Sequence, residues 1–143
     1  MTSPLTLALV GGTGLTELQE PCETLDIETP YGPTSAPVRV VAKGPLRLLF
    51  LPRHGNPHRF PPHRVNYRAN LWALKQQGIR SVISVCAVGG IRAAIRPGAI
   101  VVPDQMIDYT WGRAHTLYEQ DLAEVTHIDF TEPYCAELRM ALI

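Results

Sequence analysis

Leu46-Arg47-Leu48-Leu49-Phe50-Leu51-Pro52-Arg53-His54-Gly55 is the stretch on which the fold turns. Leu46 to Leu51 is an apolar run of strand length that empties into an arginine, a histidine and a glycine. His58, Pro61-Pro62-His63 and the run Asn66-Tyr67-Arg68-Ala69-Asn70-Leu71-Trp72-Ala73-Leu74-Lys75 follow. Asn66 suits a helix N-cap, Gly78 suits a helix end, and Ala69, Trp72 and Ala73 share one apolar stripe. The spacing therefore predicts a helix from Asn66 to Gln77. A strand opening into a cationic loop that leads into a helix is an arrangement suited to anions.

The same logic extends outward. Leu5 to Val10 is a nearly all-apolar run, which fits a strand buried on both faces, and Gly11-Gly12-Thr13-Gly14 follows it. Two strand-end loops offering cationic groups and backbone N–H groups point to one phosphate held between them. Val38 to Val41 and Leu46 to Leu51 read as a hairpin turning near Lys43-Gly44-Pro45. Ser81 to Val85 and Ala99 to Val102 read as two further buried strands, the second closed by Pro103. Thr16 to Pro37 reads as irregular with short extended pieces. Thr131 is placed to cap a last helix, with Glu132 and Pro133 in its first turn, running to Ile143 without a stop signal. The apolar Leu138, Met140, Ala141, Leu142 and Ile143 make the chain read as truncated, with an apolar surface left where later strands would pack.

With 143 residues the chain is long enough for one domain with a real core. Its 13 basic and 13 acidic side chains cancel, which argues against nucleic acid as a partner. No apolar run approaches a membrane span, and Met1-Thr2-Ser3-Pro4 lacks the basic segment of a signal peptide. Cys22, Cys86 and Cys135 are odd in number and widely spaced. That pattern points to reduced thiols in the cytoplasm rather than a disulfide framework or structural zinc.

Each chemical motif has a plainer reading beside it. Gly11-Gly12-Thr13-Gly14, taken alone, fits an ordinary tight turn as well as a phosphate loop. Gly12 and Gly14 match the dinucleotide fingerprint, but its third glycine would fall on Glu17, whose charge opposes a pyrophosphate. No Gly-Lys-Ser/Thr follows, so it is no Walker loop. Arg53 directly after a strand can bind phosphate as a two-pronged fork, with His54 as a further donor. His54, His58 and His63, with His115 and His127, raise a metal site as the lesser option. Pro57, Pro61 and Pro62 keep the first three histidines off a shared helix face, and no acid lies among them. Cys86 has no neighbouring base and is not assigned as a nucleophile; the backbone after Val85 can instead point at the anion held by Arg53.

Taken together, these motifs resemble the purine nucleoside phosphorylase family, and within it the methylthioadenosine phosphorylase branch. The resemblance is carried by Gly11-Gly12-Thr13-Gly14-Leu15, Thr29-Pro30-Tyr31-Gly32, Arg53-His54-Gly55 and the run from Asn66 to Lys75. Pro97-Gly98 with Asp104-Gln105-Met106-Ile107-Asp108, then His127 and Glu132-Pro133, continue it in order. Pro61-Pro62-His63-Arg64-Val65-Asn66-Tyr67 and Ala87-Val88-Gly89-Gly90-Ile91 are most similar to the bacterial S-methyl-5'-thioinosine phosphorylases, which prefer a 6-oxopurine.

The resemblance implies an α/β domain with a mixed central sheet flanked by helices, of which residues 1–143 form the N-terminal part. It implies phosphorolysis of a purine nucleoside to free purine and a ribose 1-phosphate, in purine and methylthio salvage. Phosphate is then a co-substrate, and neither metal nor organic cofactor is needed. Thr13, Arg53, His54, Cys86 and Ala87 would hold the phosphate. His127 would reach the substrate's 5' end in a neighbouring subunit of a homotrimer. Two departures stand out. The family carries threonine or asparagine where Cys86 stands, and a thiol is the weaker donor. The family's leaving-group residues would lie beyond Ile143. The alternatives are a methylthioadenosine phosphorylase, an inactive fragment that binds phosphate or a longer subunit, and a histidine-based metal hydrolase.

Overall fold

The computed structural model describes residues 5–114, 116–119 and 122–143. Two compact units divide the chain, one ending at Val88 and the other running from Gly89 to Ile143.

The first unit is built on a five-stranded mixed sheet. Its strands are β1 (Leu5–Gly11), β2 (Glu23–Leu25), β3 (Val38–Lys43), β4 (Leu46–Pro52) and β5 (Val82–Val85). Their order across the sheet is β2-β3-β4-β1-β5. β3 and β4 form the antiparallel hairpin expected around Gly44, with Lys43 opposite Leu46. β2, the short extended piece within the irregular segment, pairs antiparallel with β3. β1 runs parallel to β4 on one side and to β5 on the other.

Alternation along the strands sorts the core. Ala8 and Val10 of β1, Val38 of β3, and Leu49 and Leu51 of β4 join Leu74 and Ile79 in one buried cluster. Leu74 comes from α1 (Tyr67–Gln76), so this helix covers that face of the sheet. Asn66 caps α1 as its sequence predicts, accepting the Ala69 N–H at 3.1 Å, and Gly78 follows the C-cap Gln77. The Asn66 amide also donates to the Tyr31 carbonyl at 2.6 Å. At the other end of α1, the Arg47 guanidinium donates to the Gln77 carbonyl at 3.2 Å and to its side-chain oxygen at 3.1 Å. A cation there complements the helix's exposed carbonyls.

Two buried polar residues lock the loop before β3 to the same helix. Asn70 accepts the Ser35 N–H at 2.8 Å and donates to the Ser35 hydroxyl at 2.9 Å. Both residues are buried.

Three expectations need correction. β5 is a strand, but Val82, Ser84 and Val85 are exposed rather than buried, because β5 lies at the end of the strand order with β1 as its one sheet neighbour. β1 itself is only partly buried along its first half. Ala99 to Val102 forms no strand, and Ile100 is 92% exposed. Extended backbone becomes a strand only when a neighbour accepts its ladder bonds, and no described residue supplies one. The last helix, α2 (Ala136–Leu142), starts five residues later than its predicted cap at Thr131, with Cys135 as N-cap and no side-chain cap bond. Thr131 is engaged elsewhere. Its N–H donates to the Asp129 carboxylate at 3.0 Å, and that backbone bond, helped by one from the Thr131 hydroxyl, holds the Asp129 carboxyl below its usual range.

None of the described residues 89–143 is buried, and Ile91, Trp111 and Ile143 stand among the exposed large apolar side chains. No described helix is long and apolar enough to cross a membrane.

Removing the Asn70 side chain should leave the buried Ser35 N–H without its acceptor. Asn70→Ala is expected to lower stability by about 1–3 kcal/mol in urea unfolding, a loss that a packing change alone at this partly apolar face would not give. A change below a few tenths would show that the clamp contributes nothing net.

Candidate functional site

The register of the three parallel strands decides where the chemistry sits. Gly11, the last residue of β1, is opposite Pro52, the last of β4, and also opposite Val85, the last of β5. Three loops therefore leave the sheet side by side at its carboxyl edge, the edge at which open α/β sheets bind ligands. They carry Gly12 to Leu15, Arg53 to Phe60, and Cys86 with Ala87.

The first loop is a tight turn. The Leu15 N–H donates to the Gly12 carbonyl at 3.0 Å, and Gly14 at the third position has φ +85°, a conformation that favours glycine. The turn exposes Thr13. Gly12 is needed for a different reason. A Cβ there would lie 2.5 Å from the Val85 carbonyl oxygen, 2.8 Å from Arg53 Nη2 and 3.4 Å from the Cys86 Cα. Gly12 is the point at which the three loops touch, and only a residue without a side chain fits between them.

Arg53 is fixed at both ends. Its backbone N–H donates to the Gly11 carbonyl at 2.8 Å. Its guanidinium donates from Nε to His54 Nε2 at 3.2 Å, and from Nη1 to Cys86 Sγ at 2.9 Å and Ser84 Oγ at 3.5 Å. None of these partners is a carboxylate. A guanidinium held at a strand end without an acid to neutralise it leaves a positive charge for an external anion. Glu17, two residues past the first loop, is engaged by the Asn56 amide at 2.8 Å, a bond that also ties the segments after β1 and β4 together.

His54 is buried, while Arg53 is partly buried and Thr13, Cys86 and Ala87 are exposed. The His54 ring has Nδ1 2.7 Å from the Phe60 carbonyl and stacks on His58 at 4.5 Å, the two rings nearly parallel. Such stacking presents ring faces to each other rather than aiming nitrogens at a common point. Among the described residues no group of three or more His, Cys, Asp or Glu side chains is arranged to hold a metal ion. His115 lies outside the described residues. His127 is exposed and belongs to the second unit.

The structure thus brings Arg53, His54 and Cys86 into hydrogen-bonded contact and sets the Thr13 turn against them through Gly12. Ser84, Phe60 and the Asn56–Glu17 bond were not anticipated. Ser84 sits one residue from the end of an apolar strand with no local signal of a role, and Phe60 acts through its carbonyl, which no side chain advertises.

The phosphorylase superfamily model matches residues 6–143. The chain belongs to the phosphorylase superfamily. It is 49% identical over 138 residues to a probable S-methyl-5'-thioinosine phosphorylase of Pseudomonas syringae pv. tomato, covering 95% of this chain and 56% of that protein. It is 44% identical over 133 residues to an S-methyl-5'-thioadenosine phosphorylase of Thermococcus kodakarensis, covering 93% and 51%. Methylthioadenosine phosphorylase from Schistosoma mansoni in complex with tubercidin superposes with a TM-score of 0.91 at 34% identity, covering 96% of this chain and 50% of that one. The mixed sheet with its helices is therefore the nucleoside phosphorylase fold, and the chain spans about half the length of the curated relatives it matches.

Gly12→Ala should displace either the Val85 carbonyl or the Arg53 guanidinium. Both loss of stability in urea unfolding and weaker binding of inorganic phosphate by calorimetry are expected. An alanine variant indistinguishable from the parent in both measurements would contradict the close approach described for the three loops.

Proposed function

We propose that these strand-end loops hold inorganic phosphate for attack on the sugar of a purine nucleoside carrying a 5'-methylthio group. The observation that carries this reading is the Arg53 guanidinium, anchored at the carboxyl edge by His54, Ser84 and Cys86 with no carboxylate partner among the described residues. Family membership supports it, as do the methylthioinosine and methylthioadenosine phosphorylases among the relatives.

In this reading a phosphate oxygen bonds to C1' of the sugar as the bond from C1' to the purine nitrogen breaks. The purine leaves with the electron pair and takes up a proton, and the products are free purine and methylthioribose 1-phosphate. The bond breaks through an oxocarbenium-like sugar, so a phosphate fixed beneath it is both nucleophile and counter-charge. Arg53 supplies the charge. Thr13 contributes its hydroxyl, and the turn at Cys86 and Ala87 contributes backbone N–H groups. His54 belongs to the same site, and Cys86, which accepts from Arg53, helps to aim it.

Residues 1–143 would form the N-terminal part of one nucleoside phosphorylase domain. Leaving-group chemistry is assigned to residues beyond Ile143, and His127 to the 5' end of the substrate in a neighbouring subunit of a homotrimer. Phosphate is the co-substrate and no cofactor enters the scheme. The setting is the cytoplasm, in purine and methylthio salvage. Relatives named for thioinosine and for thioadenosine match at similar identity, so the base preference is open to a direct comparison.

Calorimetry with inorganic phosphate tests the site. Arg53→Ala should cost about 2–5 kcal/mol of phosphate binding, whereas the same change at exposed Arg80 should leave binding within about 0.5 kcal/mol. Equal effects at the two positions would remove Arg53 from the site. Cys86→Asn should tighten phosphate binding; an unchanged constant would mean that the position acts through its backbone.

Purine release is measured with methylthioinosine, methylthioadenosine and inosine side by side, with phosphate present. Residues 1–143 alone are expected to bind phosphate without releasing purine. Release at the rate of an intact relative would overturn the assignment of leaving-group chemistry to residues beyond Ile143.

A further inference from the structure

The two ring nitrogens of His54 face partners of opposite kind. Nδ1 lies 2.7 Å from the Phe60 carbonyl oxygen, which can only accept. Nε2 lies 3.2 Å from Arg53 Nε, whose N–H can only donate. One protonation state satisfies both contacts, the neutral ring with its proton on Nδ1. A proton on Nε2 would point at the Arg53 N–H. His54 is 5% exposed, and its ring plane is held on one face by the parallel His58 ring at 4.5 Å.

We infer that His54 is a positioning residue: its neutral ring, with the proton on Nδ1, holds the Arg53 guanidinium in place and gives no hydrogen bond of its own to the anion. The inference rests on the phosphate-site reading and deepens it, because it replaces a donor role for the His54 ring with an indirect one.

The geometry has a consequence for how Arg53 meets its ligand. Nε is occupied by His54, and Nη1 donates to Cys86 at 2.9 Å and to Ser84 at 3.5 Å. Nη2 has no protein partner among the described residues. A fork through Nε and Nη2, along the side of the guanidinium, is therefore closed. What stays open is Nη2, which sits against Gly12 at the three-loop junction, and an oxyanion completes the end-on fork through Nη1 by replacing the long Ser84 contact at 3.5 Å. His54 thus selects which edge of the arginine an oxyanion meets. The chain that aims it runs from the Phe60 carbonyl through the imidazole to Nε. Phe60 is tied back in turn, its N–H donating to the His54 carbonyl at 3.0 Å, so the loop closes on itself.

The test combines one spectroscopic and one thermodynamic measurement on the chain with its full sequence. Long-range proton–nitrogen correlation spectra of the imidazole groups should show His54 as the neutral ring with a protonated Nδ1 and a bare Nε2. The opposite tautomer would overturn the inference whatever the ligand data show. Phosphate titrations by calorimetry then compare the unaltered chain with His54→Phe, His54→Gln, Arg53→Ala and the double variant Arg53→Ala/His54→Phe.

His54→Phe should loosen phosphate about tenfold, the scale of one lost hydrogen bond to a charged group. His54→Gln, whose side-chain oxygen can accept at the Nε2 position, should recover most of that loss. With Arg53 already alanine, His54→Phe should change binding by no more than about twofold, because a residue that acts through Arg53 has nothing left to position. A full tenfold further loss in the double variant would show independent donation to phosphate and sink the inference, leaving the site intact. An unaltered chain that takes up no phosphate would overturn the site reading and the positioning role together. If His54→Phe does not fold, the tautomer spectrum and the glutamine variant still decide.

Discussion

The parallel register of β1 with β4 and β5 is the constraint on which the rest depends. It aligns Gly11, Pro52 and Val85 at one edge, so three separate loops emerge within hydrogen-bonding reach of one another. Everything that makes the edge a site follows from that alignment. The Arg53 N–H can reach the Gly11 carbonyl, the guanidinium can reach Cys86, and Gly12 must be small because three loops converge on it. A one-residue slip of β1 would move its buried side chains to the other face and separate the turn from Arg53. The core therefore fixes the chemistry: Ala8, Val10, Leu49 and Leu51 hold the register by being buried on one face together.

Electrostatics then gives the edge its character. The chain is neutral overall, so no long-range field draws an anion in. What remains is local: one guanidinium, neutral partners around it, and the acid of the adjoining turn occupied by an amide. This favours a small, singly placed oxyanion over an extended polyanion. It also explains how a thiol is accommodated at a position where a better donor would be expected. Cys86 faces Arg53 as an acceptor, a role that sulfur fills weakly and that an asparagine oxygen would fill better.

Much of this was legible in the sequence because it is local. The β3–β4 hairpin, the Asn66 cap and the end of α1 near Gly78 each depend on a few adjacent residues and stand where their chemistry puts them. Elements that depend on a distant partner did not read as well. Ala99 to Val102 has the composition of a strand but no ladder neighbour among the described residues, so apolarity alone did not make it one. β5 has a neighbour on one side and is accordingly a strand, yet an exposed one. Thr131 has the right side chain for a cap, but its hydroxyl bonds Asp129 two residues earlier and the helix starts only at Ala136. At the candidate site, the residue types that the strand ends bring together were visible as motifs. The bonds that orient them were not, because Phe60 acts through a carbonyl and Ser84 through the pleat of β5.

In the proposed site one oxyanion sits where the three loops meet. Backbone amide spectra of the chain titrated with inorganic phosphate test it most directly. A single shared oxyanion should shift the amides of Gly12 to Leu15, Arg53, Cys86 and Ala87 together along one saturating curve, with the exposed arginines elsewhere unmoved. Shifts scattered over surface arginines, or loops that respond with different midpoints, would contradict it.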